Sequence, residues 1–302
     1  MKVLLRAPLL TNSGYGVHSR QVFEFLYNLS NIELVVECLN WGQTSWLINK
    51  DLEDGLVGKI MSKSKKVEGT FDLTIQVQLP DEWDTTLGNK NIGITAAVET
   101  DKCNHKWVEA CNKMDMIIVP SAFTKKVIKR SGVLFSPIHV IPEWFNQEIL
   151  NDKSPDLKDE RFQFKNKFNF LLVAQLTAIN PDDDRKNIFN CIKWILEEFD
   201  GEDVGIVLKT NSGKNTSIDR KLTINTLNAY IRNINAKNRG KINLLHGALT
   251  TKEMASLYNH PNIDCFASVT RGEGYGLPLV DSAAAGLPVV ATSNALCNMS
   301  PS

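Results

Sequence analysis

Short apolar runs alternate with longer amphipathic stretches along most of the chain. Residues 2–6, 33–38, 72–77, 91–98 and 114–119 are apolar runs of strand length, and helical patterns lie between several of them. The clearest helix is predicted over 121–131, SAFTKKVIKRS, where Ser121 supplies an N-cap hydroxyl and Gly132 a terminating residue. Strands alternating with helices in this way predict a doubly wound α/β domain, a mostly parallel sheet with helices on both faces. Residues 146–167, NQEILNDKSPDLKDERFQFKNK, break the pattern: they are polar and charged with a Ser-Pro in the middle, and read as a surface connection. A domain boundary is placed there, giving 1–150 and 151–302. The alternation then resumes with FNFLLVAQ (168–175), a helix over 186–199, GIVLK (205–209), a long polar helix over 218–235, INLLHG (242–247), a helix over 251–259 and IDCFAS (263–268). The second half is therefore expected to be another doubly wound, Rossmann-like domain.

Composition narrows the class. With 302 residues and 43% hydrophobic content, the chain can build two cores at about 100–200 residues per domain. The 34 basic residues balance 34 acidic ones, so no net field draws the chain to nucleic acid. Cys38, Cys103, Cys111, Cys191, Cys265 and Cys297 form no CxxC pair, which argues against a zinc knuckle or a disulfide framework and fits a reducing cytoplasm. Arg6 and Pro8 interrupt the N-terminal KVLLRAPLL, which reads as the first buried strand and not as a signal peptide. No stretch approaches the roughly 18 continuous apolar residues of a membrane span, and peripheral membrane contact stays open.

Candidate chemistry concentrates in four places. In RGEGYGLPLVDSAAAGLPVVAT (271–292), Gly272, Gly274 and Gly276 make the loop around Glu273 permissive. Pro278 starts a helix with small residues Ala283, Ala284 and Ala285, and Gly286 and Pro288 stop it before a short strand. Glu273 then precedes the helix and Asp281 sits in its first turn, and ionised carboxylates are strong acceptors for sugar or ribose hydroxyls. The plainer reading of Asp281 is a charge favoured by the helix dipole. In TNSGYGVHSRQV, Gly14 and Gly16 precede a helix whose amides could approach an anion. The fit to a dinucleotide fingerprint is imperfect, because Ser19 stands where a third Gly belongs, although Glu37, about 20 residues on, keeps a nicotinamide site open. In GITAAVETDKCNHKW a strand ends near Glu99, Thr100 and Asp101, at the edge where open α/β sheets bind ligands; His105 and His18 are weaker candidates. In FNFLLVAQLTAINPDDDRKN, Arg185 and Lys186 fall at a helix start, and Lys209 ends the next strand. Asp182, Asp183 and Asp184 read as loop acids capping that helix in preference to a DxD metal site, and no required metal is expected.

The stretch EGYGLPLVD resembles the signature of the retaining family-four glycosyltransferases, Glu, seven residues, Glu, with Asp281 one methylene shorter than the usual second acid. The order of elements resembles that family along nearly the whole chain. The resemblance implies the GT-B architecture, two Rossmann-like domains facing across a cleft, with 1–150 on the acceptor side and 151–302 binding the nucleotide sugar. It also implies that the second domain is incomplete, because the chain stops about one strand after the signature, where family members continue. By the same resemblance Glu273 and Glu99 would touch the transferred sugar, Asp281 the ribose, and Arg185, Lys186 and Lys209 the diphosphate. Gly16, Gly247, Gly274, Tyr275, Gly276 and Leu277 would line the donor. The family's first Arg lies nearer the strand, where this chain has Gln175. The implied activity is transfer of a sugar from a nucleotide-diphosphate sugar to a glycan, lipid or small-molecule acceptor with retention of configuration. No cofactor beyond that substrate is implied. Alternatives are a non-catalytic sugar-nucleotide-binding protein, a nicotinamide-dependent oxidoreductase and a sugar-nucleotide epimerase.

Overall fold

A computed structural model describes residues 1–97, 99–151, 159–234, 236 and 241–293. The chain forms two compact units, the first made of Met1–Trp144 together with Glu273–Tyr275, the second of Phe145–Gly272 together with, among the described residues, 276–293.

The first unit contains β1 (Lys2–Ala7), α1 (Gly14–Tyr27), β2 (Glu33–Cys38), α2 (Leu56–Lys63), β3 (Phe71–Val77), β4 (Gly88–Ile94), α3 (His105–Cys111), β5 (Met116–Val119), α4 (Ala122–Ser131) and β6 (Ile138–Val140). The strands make one sheet in the order β2-β1-β3-β4-β5-β6, every pair parallel. The pleat sends alternate residues of β1 to opposite faces. Val3 and Leu5 pack with Phe23 and Leu26 of α1 and with Val57 and Ile60 of α2, whereas Leu4 joins Val35 and Phe71 on the other side. Burial on both faces is what a parallel sheet requires, and it explains the continuous apolar runs. Strands are added on one side of β1 and then on the other, so the C-terminal ends of β1 and β3 flank a topological switch point.

The second unit contains α5 (Glu148–Asn151), β7 (Phe168–Val173), α6 (Ile188–Glu198), β8 (Val204–Thr210), α7 (Ser217–Ile231), β9 (Lys241–His246), α8 (Thr251–Tyr258), β10 (Cys265–Ser268), α9 (Leu277–Ala284) and β11 (Val289–Ala291). Its parallel sheet runs β11-β10-β7-β8-β9. Leu172, Ile206 and Leu208 pack beneath Phe189, Ile192 and Leu196 of α6 and Leu227 of α7. Here the switch point lies between β7 and β10. Two doubly wound α/β units are thus present, as the alternation predicts.

Several local expectations change. The strand expected over 91–98 ends at Ile94; Ala97 takes a left-handed φ of 47°, and Val98 lies outside the described residues. Ser121 caps α4 by accepting from the Thr124 amide at 3.1 Å, but Gly132 is extended (φ 173°) and not left-handed. Its lack of a side chain makes room for Val108, which a Cβ would meet at 3.2 Å. The helix expected from Lys186 begins at Ile188, after Asn187 at φ 56°, and the helix expected to reach residue 235, itself outside the described residues, ends at Ile231. Residues 146–167 are more than a surface connection, because Ile149, Phe162 and Phe164 are buried; 152–158 lie outside the described residues. The units divide between Trp144 and Phe145, six residues before the boundary placed from sequence. The reason is Asn146, whose amide donates to Asp281 Oδ1 at 2.9 Å and whose side chain donates to the Thr251 carbonyl at 2.7 Å. Residues 294–302, with Cys297 and the expected incomplete end of the second sheet, lie outside the described residues.

Candidate functional site

The β7/β10 switch point brings together two loops that are far apart in sequence. The loop after β7 carries Arg185 and Lys186; the loop after β10 carries Arg271 and Gly272. They are stitched at several points: Arg185 Nη1 donates to the Gly272 carbonyl at 2.8 Å, the Arg271 amide to the Arg185 carbonyl at 2.9 Å, and Asn187 Nδ2 to the Val269 carbonyl at 3.1 Å. Arg271 also reaches the Asp182 carbonyl. The β7 loop owes its shape to Asp184, which is fully buried. Its Oδ1 accepts from Thr177 Oγ1 at 2.6 Å and from the amides of Thr177 and Lys186 at 3.3 Å, and its Oδ2 from the Ile188 amide at 2.8 Å. A carboxylate with four donors is strongly held, and Asp184 secures the entry to α6. Among the described residues no group of three or more His, Cys, Asp or Glu side chains is arranged to hold a metal.

Along the same edge, Lys209 occupies the penultimate position of β8, flanked in register by Val173 and Leu245. Burial pushes its amine down to about 8, with no carboxylate contributing. A cation in that setting favours an incoming anion. Gly247 follows β9 at a left-handed φ of 98°. His246 is bound by its Nε2 to Asp219 at 2.8 Å, which anchors α7 to the strand end.

Gly276, at φ 92°, is the only one of the three signature glycines in the left-handed region, and it leads into α9 with Leu277 and Pro278 as the first helical residues. Asp281 is the fifth residue of α9, one turn further in than the first turn expected from sequence. Its carboxyl is pushed up to about 6 by burial, partly opposed by the hydrogen bond from the Asn146 amide.

In the first unit the C-terminal edge of the sheet collects a different set. Ser13 caps α1 by accepting the Gly16 amide at 2.9 Å, so Gly16 lies inside the helix and its amide is already used. Its glycine identity has a steric cause: a Cβ there would collide with the Thr11 carbonyl and sit 2.8 Å from Thr11 Oγ1. Tyr15 stacks on Trp41 at 4.0 Å and its hydroxyl meets Thr95 Oγ1 at 3.0 Å and the amides of Ala96 and Ala97 at 3.0 and 3.2 Å. The glycine loop is thereby tied to the end of β4. Gly274 lies against the same turn, where a Cβ would be 3.1 Å from the Ala96 methyl, and the Tyr275 hydroxyl donates to the Glu143 carbonyl at 3.1 Å. Glu273 belongs to this unit as well. Glu99 is half-buried in the loop between β4 and α3.

Other candidates find structural partners. Glu37 accepts from Arg6 Nε at 2.8 Å across the β1–β2 pair. His105 is exposed at the start of α3. His18 faces Gln21 on α1, and burial pushes its imidazole down to about 4. Sequence reasoning missed Glu143, a carboxyl buried to 8% exposure. Its surroundings, IPEW, carry no motif; the available signal is an acid a few residues beyond a strand that was itself too short to predict.

No family model matches the chain, and no curated protein matches it. Solved structures do. HepE from Anabaena, in complex with UDP and glucose, superposes with a TM-score of 0.60 at 13% identity, covering 100% of this chain and 83% of that one. An E. coli trehalose-6-phosphate synthase bound with UDP-2-fluoro glucose gives a TM-score of 0.61 at 11% identity, with 98% and 85% covered. Sucrose-phosphate synthase from Thermosynechococcus elongatus gives 0.58 at 13%, with 97% and 81% covered. At these identities the shared property is the architecture: the chain has the GT-B fold, built from two Rossmann-like α/β domains.

Proposed function

We propose that this protein transfers a sugar from a nucleotide-diphosphate sugar to an acceptor with retention of configuration. The observation that carries the reading is the joining of Arg185 to Gly272 at the β7/β10 switch point, which sets the basic loop beside the start of the glycine-rich signature. That position is where open α/β sheets bind nucleotides. Fold relatives hold UDP, glucose and a UDP-sugar, which supports the choice of ligand class.

In this reading Arg185, Lys186 and Lys209 receive the diphosphate, with Gly16 bordering the phosphates. Charge grows on the diphosphate as the glycosidic bond breaks, so fixed cations favour the transition state over the ground state. Glu273 and Glu99 bind hydroxyls of the transferred sugar and Asp281 the ribose. Gly247 lies near the base, and Gly274, Tyr275, Gly276 and Leu277 shape the donor loop. The leaving phosphate takes the acceptor proton on the same face, so retention needs no separate enzymatic base. The first unit receives the acceptor, a glycan, lipid or small molecule.

The test is incubation with UDP-, GDP- and ADP-sugars, scored for transfer and donor hydrolysis. Lys186→Ala is expected to lower kcat by about 10²- to 10³-fold, the effect of removing one preorganised electrostatic donor, and Glu273→Ala to weaken donor binding in calorimetry. Absence of both transfer and hydrolysis, with Glu273→Ala binding donor as well as wild type, overturns the reading.

A further inference from the structure

We propose that Glu143 is the specificity-determining group of the first unit, its carboxyl binding one hydroxyl of a neutral sugar acceptor. The choice of ligand rests on the glycosyl-transfer reading; the site rests on geometry.

Glu143 lies three residues beyond the end of β6, on the C-terminal side of a parallel sheet. It is more than nine-tenths buried, yet among the described residues no donor or cation pairs with its carboxyl, and burial alone acts on it. Buried polar groups ordinarily have partners, and a carboxyl without one is a reason to look for a ligand. The backbone around it is fixed. Gln21 of α1 donates to the Trp144 carbonyl at 2.6 Å and accepts from the Trp144 amide at 3.1 Å, while Tyr275 holds the Glu143 carbonyl. A site held so firmly leaves the side chain as the one adaptable element.

Its neighbourhood is suited to a saccharide. Tyr275 donates to the Glu143 carbonyl, its neighbour Gly274 lies against Ala96, and the Ala96 amide donates to the Tyr15 hydroxyl, so the three residues share one locality. Tyr15 and Trp41 form a stacked aromatic pair there, the kind of surface on which the C–H face of a sugar rests. Ala97 holds a left-handed conformation beside them, and strain of this kind gathers at ligand sites. Burial lifts the carboxyl to about 8, so it carries a proton at neutral pH and offers one donor and one acceptor. That pairing matches a hydroxyl better than a phosphate or an ammonium.

The experiment compares wild type, Glu143→Gln and Glu143→Ala, with glucose, galactose, mannose and N-acetylglucosamine as probes. Binding is followed by saturation-transfer NMR, and transfer by initial rates against acceptor concentration with UDP-glucose as donor. Glu143→Ala is expected to abolish saturation transfer to the sugar that wild type binds and to raise its KM at least tenfold while kcat changes less than threefold; Glu143→Gln, which keeps a donor and an acceptor, is expected to stay within about threefold of wild type. Thermal midpoints accompany both variants, and if Glu143→Ala fails to fold, Glu143→Leu replaces it. Unchanged sugar binding in the alanine or leucine variant, or no sugar bound by wild type, overturns the proposal. A wild type that binds a sugar through Glu143 but turns over no donor would instead overturn the transferase reading and leave this site standing.

Discussion

Two glycines two positions apart do different work. Gly14 is exposed, and a Cβ added there would meet nothing within 4 Å, whereas Gly16 is pressed against the Thr11 turn. Gly16→Ala is therefore expected to lower stability by about 1–3 kcal/mol, the cost of overpacking. Gly14→Ala should stay within about 1 kcal/mol of wild type, on the stabilising side if helix propensity prevails. Urea unfolding of the two variants checks this, and equal effects would refute it. The sequence displayed both glycines equally, because the distinction depends on a turn whose path is set by tertiary packing. Glu143 was illegible for a related reason: nothing local marks a glutamate after a proline as buried, and its setting comes from distant residues, with Tyr275 bonded to its carbonyl and Gln21 to the neighbouring Trp144.

At the scale of elements, the loop joining β7 to α6 is organised by one side chain. Asp184→Asn keeps its size but turns two acceptor oxygens into one acceptor and one donor, so that some of the donors it now holds, the buried Ile188 amide among the candidates, lose their partner. The expected loss is about 2–3 kcal/mol, since hydrogen bonds to charged groups contribute about 1.5–3 kcal/mol. Hydrogen exchange should report it as lost protection at the Thr177, Lys186 and Ile188 amides, with β1–β5 unaffected; uniform loss across the chain would count against a local role. Most elements could be read from the pattern, because parallel strands buried on both faces are written as continuous apolar runs. The three-residue β6 was too short to stand out, and α2, with Val57 and Ile60 on its buried face, is only eight residues long. The run through 97 looked like a continuing strand because a left-handed Ala has no signature. The switch point that joins Arg185 to Gly272 follows from strand order, which alternation alone does not specify.

For the molecule as a whole, charge balance conceals a pH response carried by buried groups. A carboxyl whose folded value is raised binds a proton that the unfolded chain has released, so stability falls as pH rises between the two values. For Glu143 that window runs from the ordinary 4.5 to about 8, and for Asp281 from 3.8 to about 6. His18 acts in the opposite sense, from about 4 to 6.5, because its folded form sheds the proton first. Lys209 also acts in that sense, above about 8. Between pH 6.5 and 8 Glu143 is left as the dominant contributor of these four. The urea midpoint of wild type should decline across that interval, and Glu143→Gln should flatten the decline. A variant curve parallel to wild type would show that Glu143 ionises normally in the folded state.

The link between Asp281 and the Asn146 amide reaches beyond either residue. The aspartate side chain reaches back from α9 to hold the main chain where it enters the second unit, at 2.9 Å. Because the donor at 146 is main chain, any residue except proline there would keep the tie, whereas removing the acid at 281 would release it.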